Sequence, residues 1–242
     1  MGTSRAGDIW LRRPRRRREA PPLSRERIVA EAIVLLDEEG ADRLTMRRLA
    51  ERLGTGSTTL YWHVDTKDDV LDLALDTVFA EAEVPPATDD WRADITAMVE
   101  RWRTVMLRHR WTATLMGRPM LGPNVLTRTE FLHAALQRAG LTGAPLTAAA
   151  YGLSHFVIGA TVSQLSWRGR DESSTRDAAD KILAAQREAY PTLAAHGHPS
   201  DNDWDDAFHR GLGYLIDGIR ANTIGSPDPA QSFPLGPGDL IR

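Results

Sequence analysis

The sequence predicts an all-α protein in two parts, a three-helix unit close to the N-terminus and a larger helical unit behind it. Three observations carry this reading. Apolar residues recur at three- and four-residue spacing through most of the chain. No convincing run of alternating apolar and polar residues interrupts them, as strands would require. Glycines and prolines punctuate the gaps between the periodic segments. With 242 residues, 42% of them hydrophobic, these segments can close a substantial core.

The elements follow in order. Ser24 suits a helix N-cap, and Ile28, Ala32, Leu35 and Leu36 recur at helical spacing until Gly40 stops the run. A short second helix starts at Thr45 and passes through Leu49 and Leu53 to the turn Gly54-Thr55-Gly56. Ser57 or Thr58 then opens a third helix through Leu60 and Val64. Asp65 and Thr66 break the pattern before a fourth helix over about 67–81, with Val70, Leu71, Ala74, Leu75 and Val78 apolar. Pro85-Pro86 and the polar stretch 88–90 read as a linker. Helices are expected beyond it at about 91–108, 124–139, 145–167, 176–189 and 204–222.

The resulting division is a disordered basic arm over 1–22, a helix-turn-helix unit over 23–68, a helical regulatory and dimerisation unit over 69–225, and a flexible proline-rich tail over 226–242. The uncharged stretch Leu141 to Trp167 is long enough to span a bilayer. It contains Pro145, His155, Gln164 and many small polar residues, so it reads as a buried helix, and no membrane partner is expected.

Charge is unevenly placed. The net charge is −3, yet residues 1–67 carry 14 Arg and Lys against 10 Asp and Glu, and the remainder carries 16 against 23. A basic head on an acidic body suits a protein that touches phosphate at one end, because local cations and not total charge govern counterion release. The absence of cysteine excludes disulfides, thiolate metal sites and cysteine nucleophiles, and fits a reducing compartment. The arginine run 12–18 is followed by Pro21-Pro22 and a charged helix where an export signal needs an apolar stretch, so a cytoplasmic, nucleoid-associated location is expected. No nucleophile elbow, phosphate loop or dinucleotide fingerprint occurs, and neither catalysis nor a cofactor is expected. Asp201, Asp203 and Asp205 alternate like the start of a calcium loop but lack its glycine and terminal glutamate, so capping of the last helix is the expected role. His196-Gly197-His198 lacks a third ligand nearby, and no metal site is expected.

Two short helices around a glycine-containing turn form the DNA-reading unit whose second helix enters the major groove. Here that second helix offers Ser57, Thr58, Thr59, Tyr61, Trp62 and His63, followed by Lys67, with only Leu60 and Val64 as anchors. Hydroxyls, a phenol, an imidazole and an ammonium are the groups that meet phosphates and base edges. The two rings have two readings: they face outward toward DNA, or they pack into the core.

Leu53-Gly54, then Thr59-Leu60-Tyr61-Trp62-His63-Val64 and Lys67, resemble the recognition segment of the tetracycline-repressor (TetR) family, close to the tetracycline repressor subgroup. The resemblance includes Leu44-Thr45 and Arg47-Arg48-Leu49-Ala50. It extends more weakly through Gly117-Arg118-Pro119, Ser154-His155-Phe156 to Gly159, and Phe208 to Gly218. It implies a transcriptional repressor that binds a palindromic operator in double-stranded DNA as a homodimer and is released by a small molecule bound in the second domain. The DNA-contacting positions it implies are Thr45, Arg47, Ser57, Thr58, Thr59, Tyr61, Trp62, His63 and Lys67. It also implies that the helices near 145–167 and 204–222 pack against their copies as a four-helix bundle. Gly152, Ser154, Gly159, Ala160, Gly211, Gly213 and Gly218 fit such close approach, though a core within one chain would use them too.

Candidate residues for the effector pocket are Trp102, Met106, His109, Trp111, Met116, Met120, Phe131, His155, Phe156 and Trp167, types that serve equally as ordinary core. The subgroup holds its drug as a magnesium chelate through a histidine and an acidic residue. Those positions fall here near Thr114 and Ser163, which cannot replace an imidazole and a carboxylate, so an apolar or aromatic effector is expected instead. Two other classes compete: an enzyme or carrier tethered by its basic head, and an architectural DNA-binding protein with no effector cavity.

Overall fold

The computed structural model describes residues 23–168, 171–197 and 203–224. The arm and the tail expected from sequence, with His198 and Asp201, lie outside the described residues. Among the described residues every regular element is helical.

Helix α1 (Arg25–Glu39) starts where the Ser24 hydroxyl accepts the Arg27 amide at 3.3 Å and stops at Gly40, whose φ of 82° only glycine adopts readily. A 3-10 turn, Ala41–Arg43, leads to α2 (Met46–Arg52), where Thr45 is the N-cap and its hydroxyl accepts the Arg48 amide at 3.1 Å. Gly54, at φ 66°, turns the chain into α3 (Ser57–Leu60). This helix is shorter than its spacing suggests. It tightens at its end, where Trp62 and His63 donate to the carbonyls of Thr59 and Leu60. Helix α4 (Lys67–Phe79) opens with a capping box in which Thr66 and Asp69 satisfy each other's backbone amides.

After the linker come α5 (Trp91–Arg108), a 3-10 segment Arg110–Leu115, α6 (Pro123–Arg138), α7 (Gly143–Arg168), α8 (Glu172–Ala185), α9 (Pro191–His196) and α10 (Trp204–Ile224). The 3-10 segment and α9 are each only six residues long and carry too little periodicity to be read from sequence. At the start of α10, Asp203 accepts the amides of Asp205 and Asp206 and so takes the capping role expected of the aspartate series, while the Asp205 side chain pairs with Arg103 instead.

One core runs through both parts. Ile28, Leu35 and Leu36 of α1 meet Leu49, Leu60 and Val64 of the head, and α1 packs on α4. The apolar face of α4 continues into Ile95, Met98, Trp102 and Met106 of α5 and into α6 and α7. The boundary at residue 68 therefore falls in the first turn of a helix that belongs to both parts.

Helix α4 is fastened along its length. Arg118 donates to Asp72 at 2.7 Å and to Asp68 at 3.0 Å. Asp76 accepts from the Val125 amide and from Asn124 at the start of α6. Buried Arg128 donates to the carbonyls of Ala80 and Ala82, closing the C-terminal end of α4. Gly122 permits this approach, because a Cβ there would lie 2.2 Å from the Asp76 carboxyl carbon.

The stretch read from sequence as a buried helix is corrected. In α7 the buried residues are Ala150, Leu153, Val157, Thr161 and Gln164, on the side that packs against α5, α6 and α10, while Tyr151, His155 and Gly159 are exposed. By length and composition alone α7 could cross a membrane. Its uncharged sequence reflects two faces, of which one chain covers only one.

Candidate nucleic-acid interface and regulatory core

The head holds its reading segment by two side chains, Leu60 and Val64, both buried in the core. Everything between and before them turns outward. Ser57, Thr58 and Thr59 are exposed, Tyr61 is 50% exposed and Trp62 83% exposed, and His63 is half-buried. This decides between the two readings of the rings: neither is core. The segment is braced from behind, since Arg25 at the start of α1 donates to the His63 carbonyl at 3.2 Å.

Flanking groups are more occupied. The Thr45 hydroxyl is committed to its capping bond, and Arg47 pairs with Glu51 at 3.0 Å on an open surface. Arg48 pairs with Glu39, and Arg52 lies between Glu31 and Glu38. Those two carboxylates, accepting from the guanidinium, raise the Arg52 pKa above its already high value. Lys67 is half-buried and donates to the Ala41 carbonyl at 3.3 Å, so it ties α4 to the turn before α2.

In the second part, the ten residues expected to form an effector pocket are dispersed. Met106 is buried in the core, and Trp102 packs edge-on against Phe79. His109 and Trp111 both bond Asp37 of α1, at 2.8 and 2.7 Å, and His109 also meets Glu81 at 3.1 Å. Met116 and Phe131 pack partly buried against the core. Met120 borders an open groove of about 660 Å³ between α4 and the segment before α6, with Trp62 and His63 at its other end. His155 faces outward, stacked on Tyr151. Phe156 stacks on Phe208, and Trp167 meets Trp204 edge-on.

Thr114 and Ser163, near which the sequence reading expects the subgroup's metal-ligand positions, are both exposed, and the Thr114 hydroxyl donates to the Trp111 carbonyl. Among the described residues no group of three or more His, Asp or Glu side chains could hold a metal ion. The residues present do not fit a magnesium chelate.

Sequence reasoning missed the polar connections across the molecule. Asp37, Glu81, Arg103 and Gln164 acquire meaning only from partners 28 to 102 residues away. Arginine or glutamine in an otherwise apolar helical stripe is the signal that could have found the last two.

A three-helix head with an outward polar and aromatic reading segment, fused through a shared helix to a larger helical body, is the architecture of a helix-turn-helix transcriptional regulator. Residues 28–74 match the model of bacterial regulatory proteins of the tetR family, and residues 85–223 match the tetracyclin repressor-like C-terminal domain. The chain belongs to the TetR family of transcriptional regulators. An HTH-type transcriptional regulator of Saccharopolyspora erythraea is 44% identical over 217 residues, covering 89% of this chain and 92% of the relative. The HTH-type transcriptional repressor DrrR1 of Streptomyces coeruleorubidus is 33% identical over 240 residues, covering 90% and 88%. Among solved structures, the TetR-family protein ActR of Streptomyces coelicolor in complex with actinorhodin superposes with a TM-score of 0.76 at 34% identity, covering 84% of this chain and 99% of that one.

Proposed function

We propose that this regulator is a repressor that binds a palindromic operator as a homodimer and leaves it when a small apolar or aromatic molecule occupies the body. The observation that carries the DNA half is the exposure of Tyr61 and Trp62 on a segment anchored only by Leu60 and Val64. Solvent-facing rings of this size contribute nothing to the core, and beside three hydroxyls and an imidazole they match phosphate and base-edge chemistry. In this reading Ser57, Thr58, Thr59, Tyr61, Trp62 and His63 enter the major groove, while Thr45, Arg47 and Lys67 meet the flanking backbone. Its place of work is the cytoplasm, on the chromosome.

The homodimer is supported by the uncovered faces of α7 and α10. A Cβ added at Gly152, Gly159, Gly213 or Gly218 would meet nothing within 4 Å, so these glycines leave open surface that a second copy can approach closely. Gly211 differs: a Cβ there would lie 2.8 Å from the Phe156 ring, so it serves packing within the chain. For the effector, the neighbour ActR, solved with actinorhodin, supports an organic ligand in the body.

The test is footprinting on DNA flanking the protein's own coding region, with wild type and the Tyr61→Ala/His63→Ala double variant. Protection of a palindrome by wild type and its loss in a folded, dimeric variant are expected. Sequence-specific protection retained by the variant overturns the assignment. A compound screen on the protected complex then tests release.

A further inference from the structure

The open groove of about 660 Å³ between α4 and the segment before α6 presents two kinds of surface. One is apolar, formed by Trp62, Leu73, Met120 and Leu121, of which Leu121 is 74% exposed. The other is acidic. Asp65, Asp69, Asp72 and Asp76 line it, and Arg25 is the one guanidinium or ammonium among the described lining residues. Asp69 and Asp76 are engaged by the fold, and Asp72 pairs with Arg118, yet the Asp72 side chain stays 54% exposed. Asp65 is exposed, and its carboxylate takes no partner among the described residues. Solvent-facing aromatic and aliphatic groups beside carboxylates suit a chain that carries cations and proline together.

Such a chain starts at the groove's own edge. Residues 1–22, which lie outside the described residues, join α1 just before Arg25, and Arg25 lines the groove together with Trp62 and His63. Their sequence holds six arginines at 12, 13 and 15–18, with Pro14 among them and Pro21-Pro22 behind. We propose that this arm docks in the groove of its own chain when DNA is absent, its arginines on Asp65 and Asp72 and its prolines against Trp62, so that arm and operator compete for Trp62 and His63. Reach permits it. From Lys67 to Asp76 the acidic wall rises about 14 Å, which an extended proline-rich chain covers in about five residues. The arginines at 15–18 stand seven to ten residues before Arg25, far enough back to pass along the whole wall. Exposed ion pairs are individually weak, but so short a tether gives an effective concentration on the order of millimolar, at which a few of them suffice. The docking stands apart from the proposed reading of DNA, and the competition rests on that reading.

The chain has no cysteine, so an introduced pair can be followed alone. Full-length Arg16→Cys/Leu121→Cys, oxidised without DNA, is expected to close an intrachain disulfide at least about fivefold faster than Arg16→Cys/Val34→Cys, whose second position is exposed on α1 outside the groove. Adding Asp65→Lys to the first pair, or raising salt to about 1 M, should slow closure at least about threefold, since either removes the attraction and leaves the tether unchanged. The closed protein should bind operator at least about tenfold more weakly than the same sample after reduction. Equal rates at Leu121 and Val34, closure indifferent to Asp65→Lys and to salt, or a disulfide formed between two chains overturns the docking. Operator binding unchanged by closure overturns the competition. A reduced protein that protects no operator fails the reading of DNA, and the cross-linking rates still decide the docking.

Discussion

His109 Nδ1 lies 2.8 Å from Asp37 Oδ1, joining the end of α5 to the helix that supports the reading head. The other ring nitrogen meets Glu81 at the end of α4, and Trp111 shares the same Asp37 oxygen. One buried imidazole thus fixes α1, α4 and α5 against each other. Replacing His109 with Phe keeps a ring and strands the bonds to two carboxylates. A loss of about 1–3 kcal/mol is expected, read by urea unfolding, because hydrogen bonds to two carboxylates, both partly exposed, are lost. A change of less than half that would mean solvent already serves Asp37 and Glu81.

Leu60 and Trp62 are two residues apart and should behave oppositely. Leu60→Ala empties a fully buried site and should cost about 2–5 kcal/mol. Trp62→Ala, at an exposed site, should stay within about 0.5 kcal/mol of wild type while impairing operator binding. Thermal unfolding and a DNA mobility assay on the same samples separate the two effects.

Gly122→Ala tests the seam between α4 and α6. The added methyl would overlap Asp76 at its Cβ as well as its carboxyl, so rotation of the carboxylate alone cannot relieve it. Loss of the bonds to Asn124 and Val125, with a cost of about 1–3 kcal/mol by calorimetry, is expected. An unchanged melting profile would show that the seam yields freely.

Asp94 makes stability pH-dependent on the acid side. Burial opposes its ionisation, but the Thr88 amide and hydroxyl and the Arg138 guanidinium outweigh burial and hold its carboxyl below the ordinary aspartate range. Its folded value is thus lower than its unfolded value of about 3.9, so its contribution is complete above that pH and disappears as pH falls through the folded value. Asp94→Asn should lower stability at neutral pH and flatten the stability curve between about pH 5 and pH 2 relative to wild type. Parallel curves would remove Asp94 from the acid response.

The open face of α10 offers a test of the proposed homodimer. Tyr214 is 74% exposed in one chain. Tyr214→Glu places a charge where the second copy is expected to pack, and should shift sedimentation toward monomer with the helical signal preserved. A dimer of unchanged affinity would move the interface elsewhere.

The helices were legible because their signals are local. Ser24, Gly40, Thr45 and Asp203 each act on an amide or a turn within a few residues, and apolar spacing supplied the rest. The reading segment was legible for the same reason, down to its two anchors. Where tertiary contacts decide, local signals fail. His109 and Trp111 look like pocket aromatics in sequence, and their bonding to Asp37 depends on partners 72 and 74 residues away. Helix α7 reads as wholly buried because composition cannot distinguish a face covered by the same chain from one left for another.

Three arginines of α2 are already spoken for. Arg47, Arg48 and Arg52 each hold a glutamate, and Arg52 holds two. A phosphate approaching them competes with a carboxylate of the protein, and the displaced glutamate then takes up a cation that offsets part of what the DNA releases. The number of ions that leave when this protein settles on DNA is therefore smaller than its count of positive residues. Its grip should fade with added salt more gradually than so arginine-rich a head suggests.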